Sequence, residues 1–91
     1  MSASPDDLMA RLRAEADGCH AWSNGPGDRY AAHSHPYEKV LYCVAGSITF
    51  TLPDREIRLG PGDRLMLPKG TVHTARAGRR GARYLIGERR S

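Results

Sequence analysis

Hydrophobic and polar positions change their period once along the chain. Near the start, Leu8, Met9 and Leu12 recur at about the 3.6-residue period of an amphipathic helix. A serine, a proline and two acidic residues come directly before them, an order typical of a helix start. Gly18 is a plausible stop signal. The pattern therefore predicts one short helix over roughly residues 5 to 17.

Beyond this helix the period is two. Short β-prone runs alternate with turn sequences rich in Gly, Pro and Asp, including "AGS" and "AGRRG", and no second helical segment follows. The predicted strands lie at 40–44, 48–52, 57–59, 64–67, 72–77 and 82–86. Such regularly spaced short strands favour an antiparallel sandwich or barrel over a βαβ fold.

The stretch "KVLYCV" is apolar on both faces of its predicted strand. A strand buried on both sides of a small barrel needs a cover on its outer face, which either the helix or a second subunit could supply. A chain of 91 residues forms one domain, and a domain of this size is often stabilised by a metal or a partner subunit. We therefore predict a helix, residues 1–18, packed on a single barrel domain, residues 19–91, and assembly as a homodimer.

Composition narrows the class of protein. The chain is 40% hydrophobic and 26% charged, as in ordinary globular proteins, and it lacks both an apolar run of membrane-spanning length and a signal-peptide pattern. Cys19 and Cys43 are interpreted as thiols, and a cytoplasmic location is predicted. The net charge of +4 is concentrated in arginines of residues 76–91, where few aromatic residues accompany them. A solvated edge is therefore favoured over a nucleic-acid interface.

Three of the four histidines could belong to one site. His33 and His35 are two residues apart, so both side chains leave the same face of an extended segment and could reach one ion. His73 follows a glycine- and proline-containing stretch that could carry a strand back beside them.

These residues resemble the two motifs of the cupin superfamily, G-x5-H-x-H-x3,4-E-x6-G and G-x5-P-x-G-x2-H-x3-N. The matching positions are Gly27, His33, His35 and Gly46 in the first motif and Gly62, Pro68, Gly70 and His73 in the second. The resemblance covers roughly residues 25 to 87. It implies an all-β jelly-roll barrel with a short N-terminal α-helix, in which the three histidines point inward as metal ligands. Such a shell suits a divalent transition metal such as Mn, Fe, Zn or Ni.

The sequence departs from the motifs at two positions. Lys39 stands where the superfamily has its ligand Glu, and Ala77 replaces the final Asn. Because an ammonium group has no lone pair and repels a cation, three alternatives arise. Glu38 could turn inward as the fourth ligand, water could complete the shell with Lys39 at its margin, or the site could be weak and sometimes empty. Strand alternation gives Lys39 the same face as Leu41 and favours the second alternative.

Tyr37, Leu41 and Cys43 are the candidates for lining the pocket beside the metal, and for Tyr37 and Cys43 a role in packing is the favoured interpretation. The function predicted is a small metal-binding cupin that acts on or binds a small polar metabolite. The alternative is a non-catalytic ligand-binding or sensor cupin with weak or no metal. The superfamily includes dioxygenases, isomerases, decarboxylases and binding proteins, so the resemblance assigns neither a reaction nor catalytic residues.

Overall fold

A computed structural model describes residues 4–89 of the chain. Residues 1–3 and 90–91, which the predicted domain ranges include, lie outside the described part. The elements are α1 (Pro5–Glu15), β1 (Asp17–Asn24), β2 (Arg29–His33), β3 (Glu38–Thr51), β4 (Glu56–Leu59), β5 (Arg64–Leu67) and β6 (His73–Arg89). Between residues 4 and 89, no helix has the length and apolar character needed to cross a membrane.

Two long strands, β3 and β6, organise the sheet. They pair with each other, and the shorter strands are added around them in the order β1-β6-β3-β4, with β2 also on β6 and β5 also on β3. Every pair is antiparallel. The predicted all-β barrel of jelly-roll type with a short N-terminal helix is therefore confirmed.

The helix begins where the sequence predicts. The Ser4 hydroxyl accepts a hydrogen bond from the Asp7 amide, and the Asp7 carboxylate accepts one from the Ser4 amide, which forms a reciprocal capping box. The helix ends at Glu15, earlier than predicted, because Ala16 is already extended and β1 starts at the next residue. Gly18 consequently belongs to β1.

Helix α1 covers the outer face of the barrel. Its Leu8 and Leu12 side chains are almost fully buried and form a cluster with Val40, Tyr42 and Leu85. Val40 and Tyr42 are the outward-facing residues of the doubly apolar stretch. Their apolar surface is thus removed from water by the helix of the same chain, and this stretch does not by itself require a second subunit.

Two of the predicted turns were wrong: β3 continues through "AGS" and β6 through "AGRRG". The β3–β6 register shifts on both sides of Gly46, which has φ +69°, and Gly81 has φ +77°. A Cβ atom on Gly46 would collide with the backbone oxygen of Gly81. The glycines therefore bend two long strands past each other instead of ending them. Glycine is common both in β-bulges and in turns, so the sequence pattern did not distinguish the two.

Candidate metal centre

The fold brings three imidazole rings together at one end of the barrel interior. His33 ends β2 and is the cross-strand partner of His73, which begins β6. His35 follows two residues after His33, and its carbonyl accepts a 2.8 Å hydrogen bond from the Gly70 amide. Ring centroids lie 4.4 Å apart for His33 and His73, 4.9 Å for His33 and His35, and 5.4 Å for His35 and His73. One ligand atom from each ring lies within 4.8 Å of the other two.

The hydrogen bonds of the rings leave nitrogen lone pairs free for a ligand. Nδ1 of His33 lies 2.7 Å from the Ala31 carbonyl oxygen, and Nδ1 of His73 lies 3.0 Å from that of Thr71. Because a carbonyl oxygen can only accept, each Nδ1 carries a proton, and in the neutral form of each ring Nε2 then has the lone pair. Backbone carbonyls orient metal-binding histidines in this way in known sites.

His35 provides an independent indication of a ligand. Its Nε2 atom is buried and has no hydrogen-bond partner among the described residues. A buried polar atom without a partner is costly, and coordination of a cation would satisfy it. Three convergent neutral imidazoles are a donor set that suits a divalent transition metal, so the residues fit the ion that the motifs imply.

Electrostatics keep the rings of His35 and His73 neutral. Burial, reinforced by the positive charge of Lys39 and by the neighbouring histidines, lowers the pKa of His35 to about 4. Burial also lowers the pKa of His73. Since protonation would remove the lone pair, these shifts hold both rings in the form that can bind a metal at neutral pH.

The metal-free protein is expected to lose stability as the pH falls from about 6.5 towards 4. In the unfolded chain His35 takes up a proton near pH 6.5, the ordinary His value, whereas in the folded protein it does so only near pH 4. Between these values the unfolded state binds more protons, so acid favours unfolding. Urea midpoints of chelator-treated protein across this range measure the effect. In His35→Gln the midpoint should depend less on pH, and an unchanged dependence would contradict the prediction.

The structure places the two residues that compete for the fourth ligand position on opposite faces of β3. Lys39 lines the barrel cavity together with His33 and His73. Glu38 does not line the cavity, and its Oε1 lies 3.9 Å from Nε of Arg89. Burial lowers the pKa of Lys39. This placement disfavours the alternative in which Glu38 turns inward.

The other residues predicted to line the pocket have different surroundings. Leu41 lines the cavity directly, whereas Cys43 is fully buried in the barrel core, where burial raises the pKa of its thiol. The Tyr37 ring stacks on His35 with centroids 5.2 Å apart and lines a smaller adjoining pocket. Cys43 therefore serves packing, and Tyr37 supports a histidine ring.

A group of hydrogen-bonded side chains at the cavity was not predicted. The Tyr30 hydroxyl accepts hydrogen bonds from Trp22 Nε1 at 2.9 Å and from Asn24 Nδ2, and the Tyr84 hydroxyl donates to Asn24 Oδ1 at 2.8 Å. Burial alone would raise the pKa of Tyr30, but its hydrogen bonds outweigh this effect and lower it. These residues lie on three different strands, and no motif or spacing in the sequence connects them.

The cavity has a volume of about 240 Å³. Its walls combine His33 and His73 of the histidine site, the tyrosine group and an apolar lining. The lining residues are His20, Trp22, Tyr30, His33, Lys39, Leu41, Ile48, Phe50, His73, Ala75, Tyr84 and Ile86. Imidazoles, other polar groups and an apolar wall thus face one cavity, as in small-molecule sites generally.

Segments of this chain are similar in sequence to known proteins. The chain is 45% identical to quercetin 2,3-dioxygenase of Bacillus subtilis (strain 168) over 56 residues, which is 59% of this chain and 17% of the relative. It is 37% identical to acireductone dioxygenase 4 of Arabidopsis thaliana over 49 residues, covering 48% of this chain and 26% of the relative. The matched segment thus spans less than a third of either relative.

A solved structure and a family model agree with these relatives. The crystal structure of the DMSP lyase DddQ from Ruegeria pomeroyi DSS-3 superimposes with a TM-score of 0.73 at 30% identity, covering 80% of this chain and 38% of that one. The family model described as "Cupin domain" matches residues 22–85, more than half of the chain. With the jelly-roll topology and the two histidine motifs, this match shows that the chain belongs to the cupin family.

Proposed function

We propose that this protein holds a divalent transition metal, such as Mn, Fe, Zn or Ni, through His33, His35 and His73 and binds or acts on a small polar metabolite in the barrel. The observation that carries the proposal is the convergence of three imidazoles on one point, with the Nε2 atom of His35 buried and unpartnered among the described residues. A bound ion would act as a Lewis acid that polarises a substrate oxygen.

The relatives support a small-molecule ligand without selecting a reaction. Two of them are named as dioxygenases of quercetin and acireductone, and the similar solved structure is that of a lyase. These are different reaction classes on small organic molecules, so the shared element is the barrel with its cavity.

Lys39 favours a second candidate function, a non-catalytic ligand-binding or sensor cupin. It stands at the position of the motif's ligand Glu and lines the same cavity as His33 and His73. A fixed positive charge weakens binding of a cation nearby, so an ion held by three histidines alone would be held less tightly. In this alternative, ligand binding rather than turnover is the function.

We further propose a homodimer in the cytoplasm. The size of the domain supports association, and free thiols at Cys19 and Cys43 accord with a reducing compartment. Light scattering at micromolar concentration measures the mass of the particle, and a monomeric mass would remove the dimer from the proposal.

Metal analysis of protein purified without an affinity tag tests the metal proposal. We expect about one metal ion per chain after reconstitution, and a higher unfolding temperature with metal than with chelator, because a ligand that binds the folded state stabilises it. A free metal concentration 1,000 times the dissociation constant would raise the free energy of unfolding by about 4 kcal/mol. Failure of Zn(II), Mn(II), Fe(II) and Ni(II) alike to bind or to raise the unfolding temperature would contradict the proposal.

A further inference from the structure

Lys39 is a charged side chain in the interior of the barrel. It lies on β3 between β5 and β6, opposite Leu67 on one side and Glu88 on the other. It shares a strand face with Leu41 and lines both the main cavity and the adjoining pocket. Charged side chains are rarely placed inside a small barrel unless a partner compensates them.

The residues lining the main cavity do not include an acidic side chain. The ion pairs found within residues 4–89 join Arg64 to Glu15 and Arg89 to Glu38, and neither involves Lys39. Glu88, the cross-strand neighbour, attracts Lys39 electrostatically but lines only the adjoining pocket. The cavity therefore has a cation and no acid of its own.

A divalent ion at the histidines would increase this imbalance. Three neutral imidazoles add no negative charge, so the ion and Lys39 together would bring three positive charges to the cavity, offset only in part by Glu88 beside Lys39. Positive charges that are partly removed from water attract anions more strongly than exposed charges do, because screening there is weaker. A ligand that carries a negative charge would neutralise part of this excess.

The remaining walls define the body of such a ligand. Leu41, Ile48 and Phe50, together with Ala75 and Ile86, form an apolar surface. The cavity volume of about 240 Å³ and these walls suit a small organic molecule with one apolar part.

We propose that the cavity selects small organic acids. Lys39 binds the carboxylate, and an adjacent hydroxyl or oxo group of the acid faces the three histidines. The apolar part of the acid packs against Leu41, Ile48 and Phe50. The inference rests on the proposed function, because it needs the histidine site to hold a metal. It assigns to Lys39, the main departure from the motif, a role in recognising the ligand.

Calorimetric titration of zinc-loaded protein with matched acids and amides tests this inference. The probes are mandelate against mandelamide and 2-oxobutyrate against 2-oxobutanamide, each pair similar in shape but different in charge. We expect the acids to bind about tenfold to hundredfold more tightly than the amides, because a hydrogen bond to a charged group contributes about 1.5–3 kcal/mol. Lys39→Met should remove this preference, whereas Lys39→Arg should keep most of it. Lys69→Met, which changes an exposed lysine, should leave it intact.

Direct measurement of bound zinc in every sample separates this inference from the proposed function. If none of Zn(II), Mn(II), Fe(II) and Ni(II) binds, the metal proposal fails and the inference fails with it; if only zinc fails, the titrations use the ion that binds. If zinc binds but acid and amide bind equally, or neither acid binds, the metal proposal stands and the inference is overturned. A preference that survives Lys39→Met also overturns it. Should Lys39→Met not fold, the acid-to-amide comparison in the unmodified protein and in Lys39→Arg still decides.

Discussion

Replacing His35 with alanine is expected to lower the affinity for Zn(II) and Mn(II) more than about hundredfold, since changes to residues that merely support a ligand already cost 10–100-fold. Within residues 4–89 the buried Nε2 of His35 has no hydrogen-bond partner, which leaves it available as a ligand. His33→Ala and His73→Ala should have similar effects, because all three rings meet at one point. Metal content by mass spectrometry and titration calorimetry measure the loss.

His20→Ala is the matched control for these substitutions. His20 also lines the cavity, but it is exposed and is not among the three histidines that converge. Its removal should leave metal affinity nearly unchanged. If His20→Ala lost metal as strongly as His35→Ala, or if His35→Ala kept its metal, the three-histidine site would be wrong. Circular dichroism and a cooperative unfolding transition verify that each variant is folded.

Lys39→Glu is expected to tighten divalent metal binding by about hundredfold or more. Unit charges roughly 5 Å apart at an effective dielectric constant near 20 interact by about 3 kcal/mol. The substitution removes the repulsion between the Lys39 ammonium group and the metal ion, and it supplies a carboxylate that can bind the ion. Position 39 has the inward direction that the ligand requires, because Lys39 lines the cavity. Titration with Mn(II) and Zn(II) gives the change in dissociation constant.

Two further variants separate the contributions of charge and ligation. Lys39→Met removes only the repulsion and should give a smaller gain than Lys39→Glu. Glu38→Ala should change affinity little, because Glu38 pairs with Arg89 and does not line the cavity. A large loss in Glu38→Ala with no gain in Lys39→Glu would make Glu38 the fourth ligand.

Local sequence patterns predicted the elements that depend on near neighbours in the chain. The capping residues before Leu8 gave the helix start, because a cap involves residues only three positions apart. Alternation along β3 predicted that Leu41 faces the inside of the barrel and Val40 the outside, because side chains on a strand alternate between its faces. The helix end and the two false turns were missed, because pairing with a distant strand overrides local turn signals.

By itself, the sequence determined the all-β class with its short helix, the cupin motifs and the three histidines as one candidate set, since these follow from spacing along the chain. Only the tertiary structure decided what surrounds them. Tyr30 and Tyr84 are 54 residues apart and meet at the cavity although Tyr30 pairs with Ala75 on β6 and not with Tyr84. Helix α1 covers Val40 because it folds back over β3. Contacts between strands far apart in the chain depend on register and bulges, which no short sequence pattern encodes.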